Sequence, residues 1–492
     1  MRFKTNMVIG VLFAALAAFV YLHEIKGEEE RLADAKRSNK LLEFSDHEVQ
    51  RISVQRPGTD GGTVIERRQD EWWITEPVEA AADEEAVERY LRNIGETEAE
   101  RVMEASASLA GSGSAELELR YGLAEPRLSL SIDLSEGLLD TIRFGSDSPT
   151  ERYAYTQRRG QNKQVFTVRA WRFDNLDKGL FDLRDKRLIA FDTKTVREIS
   201  ISHDEIGISE GVVQLTRTGE GDGWQIKSPV QAEADKGEVD KLLNKLLNST
   251  AESFVIEAPD GADLTEAGLA PRPLLEVALT VGDDRAVKTL RIGNQSETAG
   301  HSFARDLSRP AIFLVDSTVV NTLGTSLFTL RDKTLLSIDE PETIRRLELH
   351  RAHKGLVFAA ERDSTGGWLI VAPQQRPAIS WKVNGILTDM EDVQIQEFVV
   401  DLAVGEVPDL SLYGLATPLL RLRLSGADDD TAAVELLLGN RSDDGVFATL
   451  AGSNGVSKVS RSVLEGLELE LDDVAQAPVD SEEPAADAAG SQ

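Results

Sequence analysis

The chain has 492 residues, of which 41% are hydrophobic and 28% charged, an ordinary globular balance with room for about three domains of roughly 150 residues. With 85 acidic against 54 basic residues, its net charge of −31 argues against nucleic acid or anionic lipid as a partner of a broad face, because both require positive patches. The chain has no cysteine, which excludes disulfides, thiolate metal sites and cysteine nucleophiles.

The first hydrophobic segment runs from Met7 to Leu22 and follows two basic residues, Arg2 and Lys4. Sixteen apolar residues are near the short limit for a membrane-spanning helix, and cleaved export and a buried core helix are the alternatives. The positive-inside rule leaves the N-terminus in the cytoplasm and the bulk of the chain outside. We therefore predict a transmembrane signal anchor over residues 1–22, followed by a charged stalk over 23–36.

A short motif that begins with arginine recurs at Arg37, Arg184 and Arg331, at a constant separation of 147 residues. Asp185 and Asp332 follow the second and third of these arginines. An arginine buried between two units can clamp a carboxylate with a fork of hydrogen bonds. We interpret the motif as a structural joint between repeats, and a contact with a ligand or a partner is the alternative.

The constant separation predicts three tandem repeats. Their predicted ranges are 37–183, 184–330 and 331–474, and a disordered acidic tail follows over 475–492.

Each repeat contains a cassette led by a tryptophan, namely Trp72, Trp224 and Trp368, with isoleucine at +2 and proline at +5. The cassette predicts a short strand, a turn and a helix with apolar residues at i, i+3, i+4 and i+7. We expect the tryptophans to pack on their own helices, and a ligand platform is the alternative.

The cassette helices have candidate N-cap residues. Asp83 and Asp235 stand four residues before the first apolar position, and Ser380 is the nearest capping residue in the third copy.

A Gly-Leu-Ala turn, which begins at Gly122, Gly268 and Gly414, follows in each repeat and leads into a strand of alternating apolar residues. Period-two alternation predicts an antiparallel sheet with one buried face and one solvated face. The fold class is therefore α+β, with seven or eight strands and one principal helix in each repeat.

The sequence favours a non-enzymatic protein without a cofactor. His350 and His353 would point to opposite faces of a strand end, which is a poor metal pair, so we predict no metal site. The common nucleotide-binding, zinc-protease and serine-hydrolase motifs are absent, although a single diverged repeat could hold a hydrolase site.

The repeated motifs resemble the DUF4340 family, which has a W-x-I-x-x-P cassette, a Y-G-L-x-x-P turn and a strand ending in I-G. The first repeat matches them with Trp72, Tyr121 and Pro126, and Phe144-Gly145 stands at the strand end. The resemblance implies a bacterial inner-membrane protein anchored by one N-terminal helix, with its bulk in the periplasm. It also implies an auxiliary role beside an ABC-type permease and a GldG-like partner in export or gliding motility.

Three functional hypotheses remain open. The first is a scaffold or auxiliary subunit of an ABC-type membrane complex, because repeated units suit extended surfaces. The second is a module that binds an envelope polymer or peptide in clefts between repeats, and the third is a hydrolase. The oligomeric state does not follow from the sequence.

Overall fold

The computed structural model describes residues 39–477, except 59–61, 106–112, 160–163, 204–210, 220–222, 337, 339, 392, 402–405, 407 and 427–432. The predicted anchor, the predicted stalk, Arg37 and residues 478–492 of the predicted tail lie outside the described residues. Within the described part of the chain, no helix combines the length and the apolar character needed to cross a membrane.

Three successive segments of the chain, which we call repeats 1, 2 and 3, each form a nine-stranded antiparallel sheet. The strands of repeat 1 are β1 (Val49–Gln55), β2 (Thr63–Arg68), β3 (Glu71–Glu76), β4 (Ala80–Ala81), β5 (Arg101–Ala105), β6 (Leu128–Leu134), β7 (Gly137–Asp147), β8 (Tyr153–Arg158) and β9 (Gln164–Arg169). Those of repeat 2 are β10 (Val196–His203), β11 (Val212–Arg217), β12 (Trp224–Ser228), β13 (Ala232–Glu233), β14 (Ser253–Ile256), β15 (Leu275–Val281), β16 (Ala286–Gln295), β17 (His301–Asp306) and β18 (Ile312–Asp316). Those of repeat 3 are β19 (Arg346–Arg351), β20 (Gly355–Arg362), β21 (Trp368–Ala372), β22 (Arg376–Pro377), β23 (Ile395–Asp401), β24 (Leu420–Ser425), β25 (Val434–Arg441), β26 (Gly445–Leu450) and β27 (Gly455–Ser460).

The strand order is the same in all three sheets. In repeat 1 it is β4-β3-β2-β1-β6-β7-β8-β9-β5, and the strands of repeats 2 and 3 follow the same sequence of positions. Two meanders therefore meet at the pair β1–β6, and the fifth strand crosses to the far edge to pair with β9. The coarse prediction of three α+β repeats with antiparallel sheets is confirmed. Nine strands form instead of seven or eight, partly because the two-residue strand β4 and its counterparts are too short to show alternation in the sequence.

The helices lie between and after these strands. They are α1 (Glu84–Gly95), α2 (Gly113–Arg120), α3 (Ala170–Leu176), α4 (Leu180–Leu183), α5 (Lys236–Asn248), α6 (Gly261–Glu266), α7 (Ser317–Leu323), α8 (Leu327–Leu330), α9 (Ser380–Glu391), α10 (Arg461–Gly466) and α11 (Leu471–Val474). Short 3-10 turns occupy Asp46–Glu48, Thr193–Thr195, Pro341–Thr343 and Leu410–Tyr413. The longest helices are α1, α5 and α9, which are the three predicted cassette helices.

The cassette helices bury the predicted apolar stripe. In α1 the buried residues include Val87, Tyr90, Leu91 and Ile94, which share one core cluster with Trp72. Helix α5 buries the corresponding positions as far as Leu246, but Leu247, which the sequence pattern placed in the stripe, is 37% exposed. The prediction for Leu247 is wrong because the helix turns this residue about 100° away from Leu246, beyond the edge of the buried stripe.

The sheets are buried more on one face than on the other. In repeat 1, Leu128, Leu130 and Ile132 alternate into the large core beneath α1. The second face is not uniformly solvated, because a smaller cluster around Tyr121, Leu123 and other residues covers one end of it. The alternation of β6 thus predicts the main core, whereas the second cluster depends on the turn that follows α2.

Compact packing divides the chain into two units. One contains Met1–Leu188, Thr250–Pro259 and Ala311–Leu314, and the other contains Ile189–Ser249, Asp260–Pro310 and Val315–Gln492. Repeat 3 lies wholly in the second unit, and β14 belongs to the first unit. The predicted repeat boundaries at residues 37, 184 and 331 stay a prediction.

Candidate functional site

Each cassette helix begins beside a backbone strap, by which we mean the short segment that follows α4, α8 or α11. In repeat 1, Asp83 N–H donates to Leu183 O at 2.9 Å, and Asp185 N–H donates to Ala81 O at 3.0 Å. Arg184 lies between these two bonds and forms an isolated bridge with Ala82. The strap therefore extends the sheet edge beside β4 by backbone pairing, without any requirement for a particular side chain.

The same pairing occurs in repeat 2 and again at the C-terminal end. Arg331 bridges Ala234, and Ala475 bridges Ala378. Around Ala475, Gln476 N–H donates to Pro377 O at 2.8 Å, so backbone pairing continues into the first residues assigned to the tail. Ala475 is thus a fourth position of the arginine series, and it carries no guanidinium.

The side chain of Arg184 forms what we call a clamp on β14, within the first compact unit. Its guanidinium carbon lies 3.6 Å from the ring centroid of Phe254, and Nη1 donates to Glu257 Oε1 at 2.7 Å. Only 5% of the Arg184 side chain is exposed. Because burying an unpaired charge costs several kcal/mol, the ring face and the carboxylate together are what allow this arginine to be buried.

Arg331 makes the equivalent clamp on β23, within the second unit. Its guanidinium carbon lies 3.3 Å from the ring centroid of Phe398. Nη1 pairs with Asp401 Oδ2, and Nη2 donates to Asp401 Oδ1 at 3.2 Å, which makes the pair bidentate. Phe328 of α8 packs edge-on against the same Phe398 ring. Arg184 and Arg331 therefore each join a strap to the fifth strand of the following sheet.

Repeat 1 lacks the aromatic half of this clamp. Val102 pairs with Phe166 as Phe254 pairs with Phe313, so a valine, 57% exposed, takes the place of the clamped phenylalanine. Arg37, which the sequence places at the corresponding strap, lies outside the described residues.

The two predicted aspartates shape the strap itself. Asp185 Oδ1 accepts from Arg187 N–H at 2.9 Å, and its carboxylate also binds the Arg187 guanidinium. The hydrogen bonds that Arg187 donates to the Asp185 carboxylate raise the pKa of Arg187 above its usual value. Asp332 Oδ1 accepts from Thr334 N–H at 2.9 Å in the same way. Both carboxylates stabilise the turn that follows the arginine.

The lead tryptophans are buried, and each carries an arginine over its ring. Their guanidinium carbons lie 4.7 Å, 5.0 Å and 4.8 Å from the ring centroids in repeats 1, 2 and 3. The pairs are Arg67 with Trp72, Arg217 with Trp224, and Arg362 with Trp368. Each arginine also donates to a carbonyl oxygen in or beside the neighbouring 3-10 turn.

No motif at a fixed distance from the tryptophans marks these arginines. They stand five, seven and six residues before their tryptophans, because the hairpin between the two strands differs in length. The signal that could have found them is strand register, since each arginine is the direct cross-strand partner of its tryptophan.

Two of the predicted capping residues occupy N-cap positions. The side chain of Asp83 accepts from Ala86 N–H, and that of Asp235 accepts from Glu238 N–H. The prediction for Ser380 is wrong, because Ser380 is the first residue of α9 and its Oγ accepts from Trp368 N–H at 3.1 Å. It corresponds to Glu84 in repeat 1, whose carboxylate accepts from Trp72 N–H at 2.7 Å.

The three turn glycines lie where the two glycine motifs of each repeat meet. Gly122, Gly268 and Gly414 have φ between 68° and 70°, the left-handed region. In repeat 3, a Cβ atom added to Gly439 would overlap the carbonyl oxygen of Tyr413, so the turn backbone packs directly on the strand. The I-G and Gly-Leu-Ala motifs are therefore two sides of one close contact.

Among the described residues, no group of three or more His, Asp or Glu side chains is arranged to hold a metal ion. His350 Nε2 lies 3.5 Å from Glu348 Oε2 on the same strand.

The comparisons with known proteins identify a family. The chain matches the family described as a domain of unknown function (DUF4340) over residues 72–222, 224–408 and 368–479. The three matches begin at Trp72, Trp224 and Trp368, the tryptophans that lead the cassettes. No curated protein matches the chain. Because the matched segments cover most of the chain, this protein belongs to the DUF4340 family and carries its domain in three matched segments.

Proposed function

We propose that the protein is a non-enzymatic, membrane-anchored exocytoplasmic scaffold that acts as an auxiliary subunit of an ABC-type transport or gliding-motility-like complex. The observation that carries this proposal is what recurs among the repeats. The arginine–tryptophan stack and the glycine contact occur three times, and the clamps of Arg184 and Arg331 occur where one repeat is followed by another. All of these interactions hold backbone elements together, which suits a protein that presents an extended binding surface.

The clamps link scaffold function to particular residues. A buried arginine that stacks on a ring and grips a carboxylate fixes orientation as well as distance, because the guanidinium is planar. If a partner contacts more than one repeat, it requires the orientation that the clamp maintains. Loss of the Arg331 clamp should therefore weaken partner binding even when the chain remains anchored.

Affinity purification of the full-length chain from detergent-solubilised membranes tests this proposal. We expect a permease and an ATPase subunit, or a GldG-like protein, to co-purify with the wild-type chain. Arg331→Ala should reduce their recovery, and Arg441→Ala should not, because Arg441 forms a surface ion pair with Glu468 and is half-exposed. Retention on peptidoglycan or glycans without any membrane partner would contradict the scaffold proposal and support the polymer-binding alternative.

The proposed topology has a separate test. Because the chain contains no cysteine, a single introduced cysteine reports on one position without background. In intact cells, Glu297→Cys should react with a membrane-impermeant maleimide, whereas Thr5→Cys should react only after the membrane is opened. The reverse pattern would contradict an exocytoplasmic location.

A further inference from the structure

Repeat 1 contains a cavity of about 440 Å³ where its first described residues meet β5. This volume lies in the range of about 300–1,000 Å³ that is usual for ligand sites. Phe166, which is buried, and Val102, which is 57% exposed, contribute apolar surface to the lining. The polar part of the lining includes Asn39, Lys40, Glu100, Arg101 and Arg158.

The one carboxylate in this lining and one of its cations already have partners. Glu100 Oε1 accepts from Arg169 Nε at 2.5 Å, and Arg158 Nε donates to Asp140 Oδ2 at 3.0 Å. Both pairs are electrically neutral, so they add no net charge to the cavity.

The net charge of the cavity comes from Lys40 and Arg101. Within the described part of the chain, neither side chain forms an ion pair or a hydrogen bond. The backbone of Lys40 bridges Glu98, but the Glu98 side chain does not line the cavity. The lining is therefore positive, although the chain as a whole has a net charge of −31.

Repeat 1 lacks the strap carboxylate that repeat 2 has at this place. Counted from the strap arginine, Lys40 stands where repeat 2 has Arg187, whose guanidinium binds Asp185. The sequence of repeat 1 has Ser38 in place of Asp185. The acceptor that repeat 2 provides for its cation is thus missing from the sequence of repeat 1.

Repeat 1 also lacks the carboxylate of the clamp. Glu257 stands three residues after the clamped phenylalanine of β14, whereas Ala105 stands three residues after Val102. By the same count, Arg101 stands where repeat 2 has Ser253. Repeat 1 therefore gains a cation and loses a carboxylate along the same strand.

We propose that this cavity binds the headgroup of an anionic phospholipid. The phosphodiester oxygens accept charged hydrogen bonds from Lys40 and Arg101, and the phosphate supplies the negative charge that carboxylates provide in repeat 2. Val102 contacts the glycerol and the first acyl carbons, which a free phosphate ion would leave in water. This inference rests on the membrane anchoring proposed above.

The place of the cavity in the chain favours a lipid over a free ion. Asn39 is seventeen residues after Leu22, the end of the predicted anchor (39 − 22). Even a fully extended segment of that length spans only about 60 Å, so the predicted anchor keeps the cavity near the membrane surface and raises the effective concentration of headgroups. The cavity is a local exception to the acidic character of the chain.

Calorimetric titration of the full-length chain in a non-ionic detergent tests this site. Dihexanoyl phosphatidylglycerol should bind saturably, with one lipid for each chain. Dihexanoyl phosphatidylcholine and inorganic phosphate, at the same ionic strength, should each bind at least about tenfold more weakly. The first carries no net charge, and the second has no apolar part.

Matched variants separate a built site from general electrostatic attraction. Arg101→Ser installs the residue of repeat 2, and Lys40→Thr installs that of repeat 3. Each should weaken the binding of phosphatidylglycerol at least about tenfold, because each removes a charged hydrogen bond. Arg92→Ser removes an exposed cation from α1 and should bind as the wild type does. Val102→Ser should weaken lipid binding and leave the binding of inorganic phosphate unchanged.

The absence of saturable binding, equal affinity for phosphatidylcholine, or equal weakening by Arg101→Ser and Arg92→Ser would overturn the proposal. Inorganic phosphate that binds as tightly as phosphatidylglycerol would overturn the assignment of a lipid. Should Arg101→Ser fail to fold, Lys40→Thr decides the question. Because the titration includes no protein partner, its failure leaves the co-purification test of the scaffold unaffected.

Discussion

The strap at Arg331 and the strap at Ala475 share one backbone arrangement but differ in their use of arginine. At the first, the strap carries the arginine, which reaches forward to Phe398 and Asp401 of the next sheet. At the second, the arginine is Arg376 of β22, the strand beside the strap. Arg376 donates to Gln476 O at 2.6 Å and to Asp472 Oδ1 at 2.6 Å.

This difference separates two roles that the repeated motif combines. The backbone of each strap pairs with the sheet edge of the repeat that precedes it. This pairing occurs whether the paired residue is an arginine or an alanine. The forward-reaching arginine occurs at Arg184 and Arg331, and each contacts a strand of the following sheet. At the Ala475 strap, Arg376 of the same repeat instead binds Asp472 and Gln476.

The largest expected effect comes from Arg331→Ala. It uncovers Phe398 and leaves Asp401 unpaired, and because that carboxylate is about one-third exposed, we expect a loss of about 2–3 kcal/mol, at or below the lower end for a buried pair. Hydrogen exchange of β23 amides should accelerate by about a hundredfold, since about 1.4 kcal/mol corresponds to tenfold. Unchanged protection of β23 would show that Arg331 does not act as a clamp.

Arg376→Ala should affect the C-terminal strap alone. It removes charged hydrogen bonds to Gln476 O and Asp472, and because Asp472 is well exposed, we expect a loss of about 1–2 kcal/mol. Exchange of the Ala475 and Gln476 amides should accelerate while β23 keeps its protection. Equal acceleration in β23 would mean that the two ends of repeat 3 are not independent.

Asp235→Ala tests the helix that begins beside the Arg331 strap. Asp235 caps α5 through Glu238 N–H and lies 3.4 Å from Lys333 Nζ. Removal of a capping aspartate costs about 1 kcal/mol, which should appear as faster exchange in the first turn of α5. Asp260→Ala, which removes the cap of the separate helix α6, is the matched control and should leave α5 unchanged.

The smallest expected effect is a gain in stability beside the Ala475 strap, where helix α9 begins. Ile379 occupies the place of Asp83 and Asp235 before α9, and its backbone N–H already donates to Val474 O at 2.7 Å. Ile379→Asp supplies the missing cap at the cost of a partly buried side chain, so we expect a net stabilisation of about 0.5 kcal/mol. Slower exchange at Lys382 and Val383 would show it, and Ile379→Ala should give no gain.

Sequence patterns predicted those features that depend on nearby residues. The alternation of Leu128, Leu130 and Ile132 and the apolar stripe of α1 predicted which faces are buried. The spacing of 147 residues between Arg184 and Arg331 predicted tandem repeats, and three sheets with the same strand order are observed.

Features that depend on distant residues could not be predicted. Glu257 and Asp401, the carboxylates of the clamps, lie 73 and 70 residues after their arginines, and nothing local identifies them. Ala475 was missed because its strap is recognised by backbone pairing and not by its side chain. The acceptor role of Ser380 depends on how α9 approaches β21, which places its hydroxyl beside Trp368 N–H.

A double-mutant cycle between Arg331 and Phe398 tests most directly whether an arginine clamp joins one repeat to the next. Arg331→Ala, Phe398→Ala and the double variant are compared by hydrogen exchange of the remaining β23 amides. A buried cation–π contact predicts a favourable coupling free energy of about 1–2 kcal/mol. A coupling free energy of zero, with the two losses simply additive, would contradict the clamp.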